Sequence, residues 1–249
     1  MSVAARGAVS LTNEYKVLSE AQLQKEVEKC LNCHEKPCKD KCPVDCSPAD
    51  FILAVRSGKD SDYKRAAGQI MEMNPLGGVC GVVCPDEHCM SACARSGIDV
   101  PVDIPAVQAS IVNIARERGL FPKFKSPEEM NGKKIAVIGS GPSGLGATSV
   151  LASLGYEVCM YEKKDKLGGD IQLIPSFRLP EKTVQADIEF VTSMKGVTFK
   201  TGTEITDFKA LLTEVGEFSR QIFSSRMLDF VFRPFSAYNS FLCAILNES

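Results

Sequence analysis

From Ser19 onward, Ala21, Leu23, Val27 and Cys30 recur at helical spacing with charged residues between them, which predicts an amphipathic helix delivering Cys30 at its end. The segment 34–48 is dense in Pro, Lys, Asp and Cys and reads as loop rather than regular structure. Helices are expected near 49–56, on Phe51, Ile52 and Val55, and near 61–73, on Tyr63, Ala66, Ala67 and Ile70. Asn74-Pro75-Leu76-Gly77-Gly78 breaks the second of these and turns the chain back. A loop over Pro101–Pro105 leads into another helix near 106–118. Residues 1–13 read as a loose arm, 1–120 as a small all-helical domain, and 121–132 as a linker.

The period then changes. Lys133–Gly139 (KKIAVIG) is a short continuous apolar run, the pattern of a strand buried on both faces in a parallel sheet. A helix of small and apolar residues follows over 143–154, a strand over Tyr156–Glu162, a helix near 181–194 and a strand over 197–203. This alternation predicts an α/β unit over 133–215. Residues 216–249 hold six of the 13 phenylalanines, between Phe218 and Phe241, in neither clean strand nor clean helix order. They are left as a tail without assigned structure, an apolar interface helix being one reading.

Composition changes this picture little. A chain of 249 residues can bury a proper core in one or two domains, and 44% apolar with 24% charged residues is ordinary for a globular protein. A net charge of -2 gives no electrostatic case for nucleic acid or an anionic membrane. No apolar run reaches spanning length, and the opening MSVAARGAVSLTNEYK lacks the apolar core of a secretory signal. Cytoplasm is the expected location; the single Arg and early Ser and Thr keep a short organellar transit peptide in view.

The cysteines change it a great deal. Nine of 11 lie between Cys30 and Cys93, as Cys30-x2-Cys33-x4-Cys38-x3-Cys42-Pro43 and then Cys80-x3-Cys84-Pro85-x3-Cys89-x3-Cys93, with Cys46 between. Short loops of this length let neighbouring sulfurs point at a common centre. The order resembles the bacterial ferredoxin run, in which the fourth cysteine serves the other of two clusters, so two interleaved [4Fe–4S] clusters are the leading reading. Disulfides fit poorly with a chain lacking a secretory signal. Zinc stays open, because His34 and His88 fall inside the cysteine runs, although only one Cys-x2-Cys knuckle is present.

A second chemistry sits in Gly139-Ser140-Gly141-Pro142-Ser143-Gly144. It follows a strand, opens a helix, and precedes a strand ending in Glu162, which is the dinucleotide fingerprint in its proper context. Its glycines allow a tight turn and close approach of a pyrophosphate. The helix N-terminus faces the phosphates, and Glu162 can accept from ribose hydroxyls. Leu167-Gly168-Gly169-Asp170 is another permissive turn, and Ile174–Pro180 (IPSFRLP) carries Arg178.

Taken in order, the cysteine domain, GSGPSG, YEK, LGG and IPSFRLP resemble the N-terminal half of the dihydropyrimidine dehydrogenase flavin/iron–sulfur subunit family, which is similar to the glutamate synthase small subunit. The resemblance covers about 20–215, and NPLGGVCGVVCP, PVDIPAVQ and IPSFRLP lean toward the dihydropyrimidine branch. It implies an α plus α/β fold: an all-helical domain with two [4Fe–4S] clusters, then an incomplete FAD-binding Rossmann-like domain of glutathione-reductase type. It implies FAD, NAD(P)H as donor, and an electron-accepting FMN/iron–sulfur subunit or domain as partner.

Residue by residue, the resemblance assigns one cluster to Cys30, Cys33, Cys38 and Cys93. It assigns the other to Cys42, Cys84, Cys89 and the side chain of Gln108, with Cys46 and Cys80 as non-ligands. The FAD site falls on Gly139, Gly141, Pro142, Ser143, Gly144, Glu162, Lys163, Gly169 and Arg178. No catalytic acid or base is assigned. The spacing Cys84-x4-Cys89 is one residue shorter than the family implies. A complete member continues into an inserted NAD(P)H-binding domain with its own glycine fingerprint, whereas 216–249 has Gly216 as its only glycine, so the resemblance implies a C-terminally truncated chain. The expected function is an NAD(P)H-dependent reductase subunit passing electrons through FAD and clusters to a partner. The alternatives are a non-catalytic cluster carrier or binding module, or a glutamate-synthase-type reductase.

Overall fold

The computed structural model describes residues 17–123, 127–207, 210–211 and 220–223. The loose arm expected over 1–13, and all of the tail except 220–223, lie outside these residues. Among the described residues, the first hundred-odd positions are helical: α1 (Glu20–Glu28), α2 (Pro37–Asp40), α3 (Pro48–Ala54), α4 (Asp60–Met73), α5 (Gly77–Val83) and α6 (Ile104–Glu117). α1 begins at a capping box. Ser19 Oγ accepts from the Gln22 N–H, while the Ser19 N–H donates to Gln22 Oε1 at 2.9 Å. This pairs two N–H groups that a helix start leaves over. Its apolar stripe, Leu23 and Val27, is fully buried. α6 starts on Asp103, whose side chain accepts from the Ala106 N–H, and is apolar nearly all round because α4 and α5 pack on different faces of it.

The second half is a four-stranded parallel sheet in the order β3-β2-β1-β4, made of β1 (Lys134–Ile138), β2 (Glu157–Tyr161), β3 (Val197–Lys200) and β4 (Arg220–Phe223). β1 pairs with β2 from Lys134 opposite Glu157 to Ile138 opposite Tyr161. α7 (Pro142–Ser153) joins β1 to β2, and α8 (Glu181–Thr192) precedes β3. The order 3-2-1-4 is the first part of the doubly wound pattern, with the chain reversing direction across the sheet between β1 and β4. β4 falls inside the stretch read from sequence as an unassigned tail: the sheet extends past 215, with Ile135 opposite Arg220 and Ile138 opposite Phe223.

The expected loop over 34–48 contains the short α2, and the glycine break after Asn74 starts a new helix, α5, that the sequence pattern did not show. α5 is central to the architecture. Leu76 and Val79 are buried in one core with Ile135, Val137, Leu145, Val184, Ile188 and Val191 of the α/β half. On its other side α5 packs on α6, with Gly81 so close that a Cβ there would stand 2.6 Å from the Ala109 nitrogen. The expected linker is anchored as well: the Phe121 ring meets Phe190 of α8 edge-on at 5.2 Å. The helical and α/β halves are joined by packed side chains rather than by chain alone.

Candidate iron–sulfur and dinucleotide sites

The four cysteines that the resemblance groups together line a single cavity. Cys30 follows α1, Cys33 lies in the next loop, Cys38 is on α2, and Cys93 precedes a 3-10 turn over Ala94–Gly97. All four line one small cavity, closed by Leu31, Pro37, Ile52, Val102 and Ile104. α2 follows Lys36, whose positive φ of 45° lets the chain turn back so that Cys38 faces the group. Arg95 also lines the cavity and is held there by two contacts, donating to the Lys29 carbonyl at 2.9 Å and to the Asp99 carboxylate at 2.7 Å. Arg56 donates to the Cys30 carbonyl at 2.9 Å. One guanidinium, that of Arg95, therefore borders a pocket whose thiols, once bound to iron, carry negative charge, while Arg56 braces the backbone at Cys30. Sequence reading named neither arginine.

The second group gathers Cys42, Cys84 and Cys89. Burial, followed by the charges of neighbouring thiols, pushes the Cys89 thiol up to about 12. Cys84 rises for the same reasons, with Cys42 beside it, and burial likewise raises Cys42. Cys46 and Cys80 stand within electrostatic reach of this group, and burial raises both, Cys80 to about 12. Such thiols stay neutral unless a metal takes their protons. Gln108 lies on α6 against α5 and donates its Nε2 to the Gly77 carbonyl at 2.7 Å. That leaves its amide oxygen as the atom with ligand chemistry.

His34 is placed away from these thiols. Its ring is 98% exposed and pairs with Glu35 at 3.1 Å. Among the described residues, no three His, Cys, Asp or Glu side chains converge tightly enough to hold a single ion. A four-iron cube holds its thiolates farther apart than one ion does, and soft thiolates in two groups are donors that suit such a cluster, as they also suit zinc.

The dinucleotide fingerprint sits at the carboxyl end of β1. Gly139 has φ 92°, open to glycine without cost, and its N–H donates to the Tyr161 carbonyl at 2.7 Å. Gly141 begins α7, and Pro142 fills its first turn, where a missing N–H costs nothing. No side chain caps α7, so the helix start remains disposed toward an anion. A Cβ at Gly141 would meet nothing within 4 Å, whereas one at Gly169 would stand 2.8 Å from the Gly141 Cα. The two glycine turns thus press backbone to backbone beside an open space, a cradle shaped for a pyrophosphate. Ser143 and Gly144 occupy the first turn of α7, and Gly144 is buried.

Glu162 is only 5% exposed at the end of β2. Its Oε2 accepts from the Ser140 N–H at 2.9 Å and the Ser140 hydroxyl at 2.6 Å, and its Oε1 accepts from the Lys164 N–H at 2.9 Å. Burial raises its carboxyl, but these donors outweigh it and hold Glu162 below the ordinary range. Ser140 Oγ in turn accepts from the Gly168 N–H at 3.1 Å. One acid and one hydroxyl thus tie together the fingerprint loop, the end of β2 and the second glycine turn. Ser140 is a site residue that the glycine pattern did not single out. Lys163 and Arg178 are both exposed, Lys163 next to the fingerprint acid and Arg178 on the loop after a 3-10 turn, Gly169–Leu173.

The comparisons divide at the same place as the chemistry. Residues 8–120 match the family described as dihydropyrimidine dehydrogenase domain II, 4Fe-4S cluster. Residues 137–203 match an NAD(P)-binding Rossmann-like domain. The chain is related to the dihydropyrimidine dehydrogenase family. It is 40% identical over 183 residues to the NAD-dependent dihydropyrimidine dehydrogenase subunit PreT of Escherichia coli K12, covering 73% of this chain and 43% of that one. To the subunit of the same name in Salmonella typhimurium it is 38% identical over 204 residues, 77% of this chain and 48% of that one. The NADPH glutamate synthase small chain of Escherichia coli K12 is 30% identical over 216 residues, 82% of this chain and 45% of that one. The chain therefore spans about half the length of the curated relatives it matches. Both families named in the sequence reading recur here, and the dihydropyrimidine branch is the more similar.

Proposed function

We propose that the chain is the cluster- and flavin-bearing part of an NAD(P)H-dependent oxidoreductase of the dihydropyrimidine dehydrogenase type, passing electrons to a partner subunit or domain. The observation that carries this reading is the convergence of Cys30, Cys33, Cys38 and Cys93 on one cavity, in a domain packed directly on a dinucleotide fold. Those four thiols would hold one [4Fe–4S] cluster. Cys42, Cys84, Cys89 and the Gln108 amide oxygen would hold the second, where a neutral ligand in place of a thiolate changes the cluster's charge and so its potential. Gly139, Gly141, Pro142, Ser143, Gly144 and Gly169 would receive the pyrophosphate of FAD, with Glu162, Lys163 and Arg178 around it. When bound, the flavin exchanges electron pairs with a nicotinamide and single electrons with clusters.

The residues of this chain bind, orient and shield. Arg95 offsets the charge of the first thiol group, Arg56 braces the Cys30 backbone, and the Ser140–Glu162 link fixes the loop that faces the phosphates. The buried thiols lie under apolar side chains that limit water. Pyrimidine reduction and the choice of NADH or NADPH belong to the fuller assembly, and the cytoplasm is its expected place. Among the described residues no helix is long and apolar enough to cross a membrane.

The test is a reductive titration of the anaerobically purified chain, followed by addition of a one-electron acceptor such as cytochrome c. Visible bands that bleach on reduction and return as the acceptor is reduced support the relay. Bands that do not respond to reductant overturn it. A chain that takes up iron but no flavin supports the carrier alternative instead.

A further inference from the structure

α5 is a poor helix by composition. Its seven residues, GGVCGVV, contain three glycines, the poorest helix formers after proline, and it has no side-chain cap of its own. The cap comes from 108 residues away. Asp187 on α8 is fully buried and accepts from the Val79 N–H at 2.7 Å and from the Gly78 N–H. The same carboxylate pairs with the Arg116 guanidinium of α6. Gly78 leaves room for this arrangement: a Cβ there would stand 2.8 Å from Arg116 Nη1 and 3.0 Å from Asp187 Oδ1. Arg116 also lies over the Phe121 ring at 4.5 Å, and that ring meets Phe190 one turn beyond Asp187. α5 bears Cys80 and ends on Cys84.

We propose that Asp187 is a positioning residue: reaching across from the nucleotide-binding half, it caps α5 in trans and, with Arg116, fixes the cysteine-bearing helix against that half. One carboxylate thereby couples the second thiol group to the dinucleotide fold. Burying a charge pair is a weak source of stability, whereas leaving one member unpaired is costly. The pair is better suited to holding one arrangement than to adding stability. The link to a cluster rests on the electron-transfer reading above; the capping does not.

The experiment uses the full chain in three forms: wild type, Asp187→Asn, and the double variant Asp187→Leu/Arg116→Met. The double variant removes both charges together, so that neither is left buried alone. Hydrogen exchange of the 76–84 segment is measured alongside the electron paramagnetic resonance spectrum of the reduced chain. In the double variant, exchange at Gly78 and Val79 should rise about tenfold or more while β1 and β2 keep their protection, because the opening is local. Asp187→Asn retains one acceptor oxygen and should fall between. The spectrum of the cluster held through Cys84 should shift in the double variant at unchanged iron content. Exchange at 77–80 as in wild type overturns the capping. Faster exchange with an unaltered spectrum overturns the coupling to the cluster. A wild-type chain without iron refutes the cofactor reading separately, and the exchange result still decides whether Asp187 caps α5.

Discussion

The Ser140 hydroxyl and the Glu162 carboxylate tie together the loop that bears the dinucleotide fingerprint. The glycines permit a shape, whereas the 2.6 Å link between hydroxyl and carboxylate holds it. Glu162 is held below its ordinary value of 4.5, so its share of stability is present above that pH and is lost as pH falls through the depressed folded value. Glu162→Gln should lower the thermal midpoint at neutral pH, with the gap to wild type closing below about pH 4.5, measured by thermal melts across pH. Cysteines separate in the same way. Cys93→Ser should remove about half of the bound iron, one of two clusters, while Cys159→Ser, on the sheet, should leave iron analysis unchanged.

The grouping of Cys30, Cys33, Cys38 and Cys93 came from the family resemblance, whereas the fingerprint glycines and Glu162 were legible in sequence because spacing along the chain sets their chemistry. Ser140, Arg95 and Asp187 were not. Their partners stand 22, 66 and 108 residues away, and only the folded chain brings them together.

At the scale of elements, α5 shows where pattern reading stops. The stretch Asn74–Gly78 was read as a break and turn; the turn falls on Pro75 and Leu76, while the two glycines open a helix that exists because α6, α8 and Asp187 hold it. Propensity alone opposes that helix, and tertiary packing overrides it. Gly81→Ala tests the packing, since the added Cβ meets the Ala109 backbone, which cannot swing aside. The expected cost is about 1–3 kcal/mol in denaturant unfolding, with iron content falling as well. β4 escaped the sequence reading for a related reason. Four residues have too little periodicity to announce a strand, and β1 supplies the pairing that makes them one.

At the scale of the molecule, the helical and α/β halves share apolar side chains from Leu76 to Val191 and one buried charge pair. Domain boundaries were drawn in the sequence at 120 and 133 because composition shifts there. Each half has its own core among the described residues, and Leu76 and Val79 of the helical part belong to that of the sheet. Such packing suits the proposed relay, in which the distance between centres must not wander.

The most direct measurement is the visible absorption spectrum of the chain purified without oxygen, taken with its iron and flavin content. The account predicts a broad brown cluster band and flavin peaks that bleach with dithionite, with about eight irons and one flavin per chain. A colourless chain, or one that holds zinc in place of iron, contradicts it.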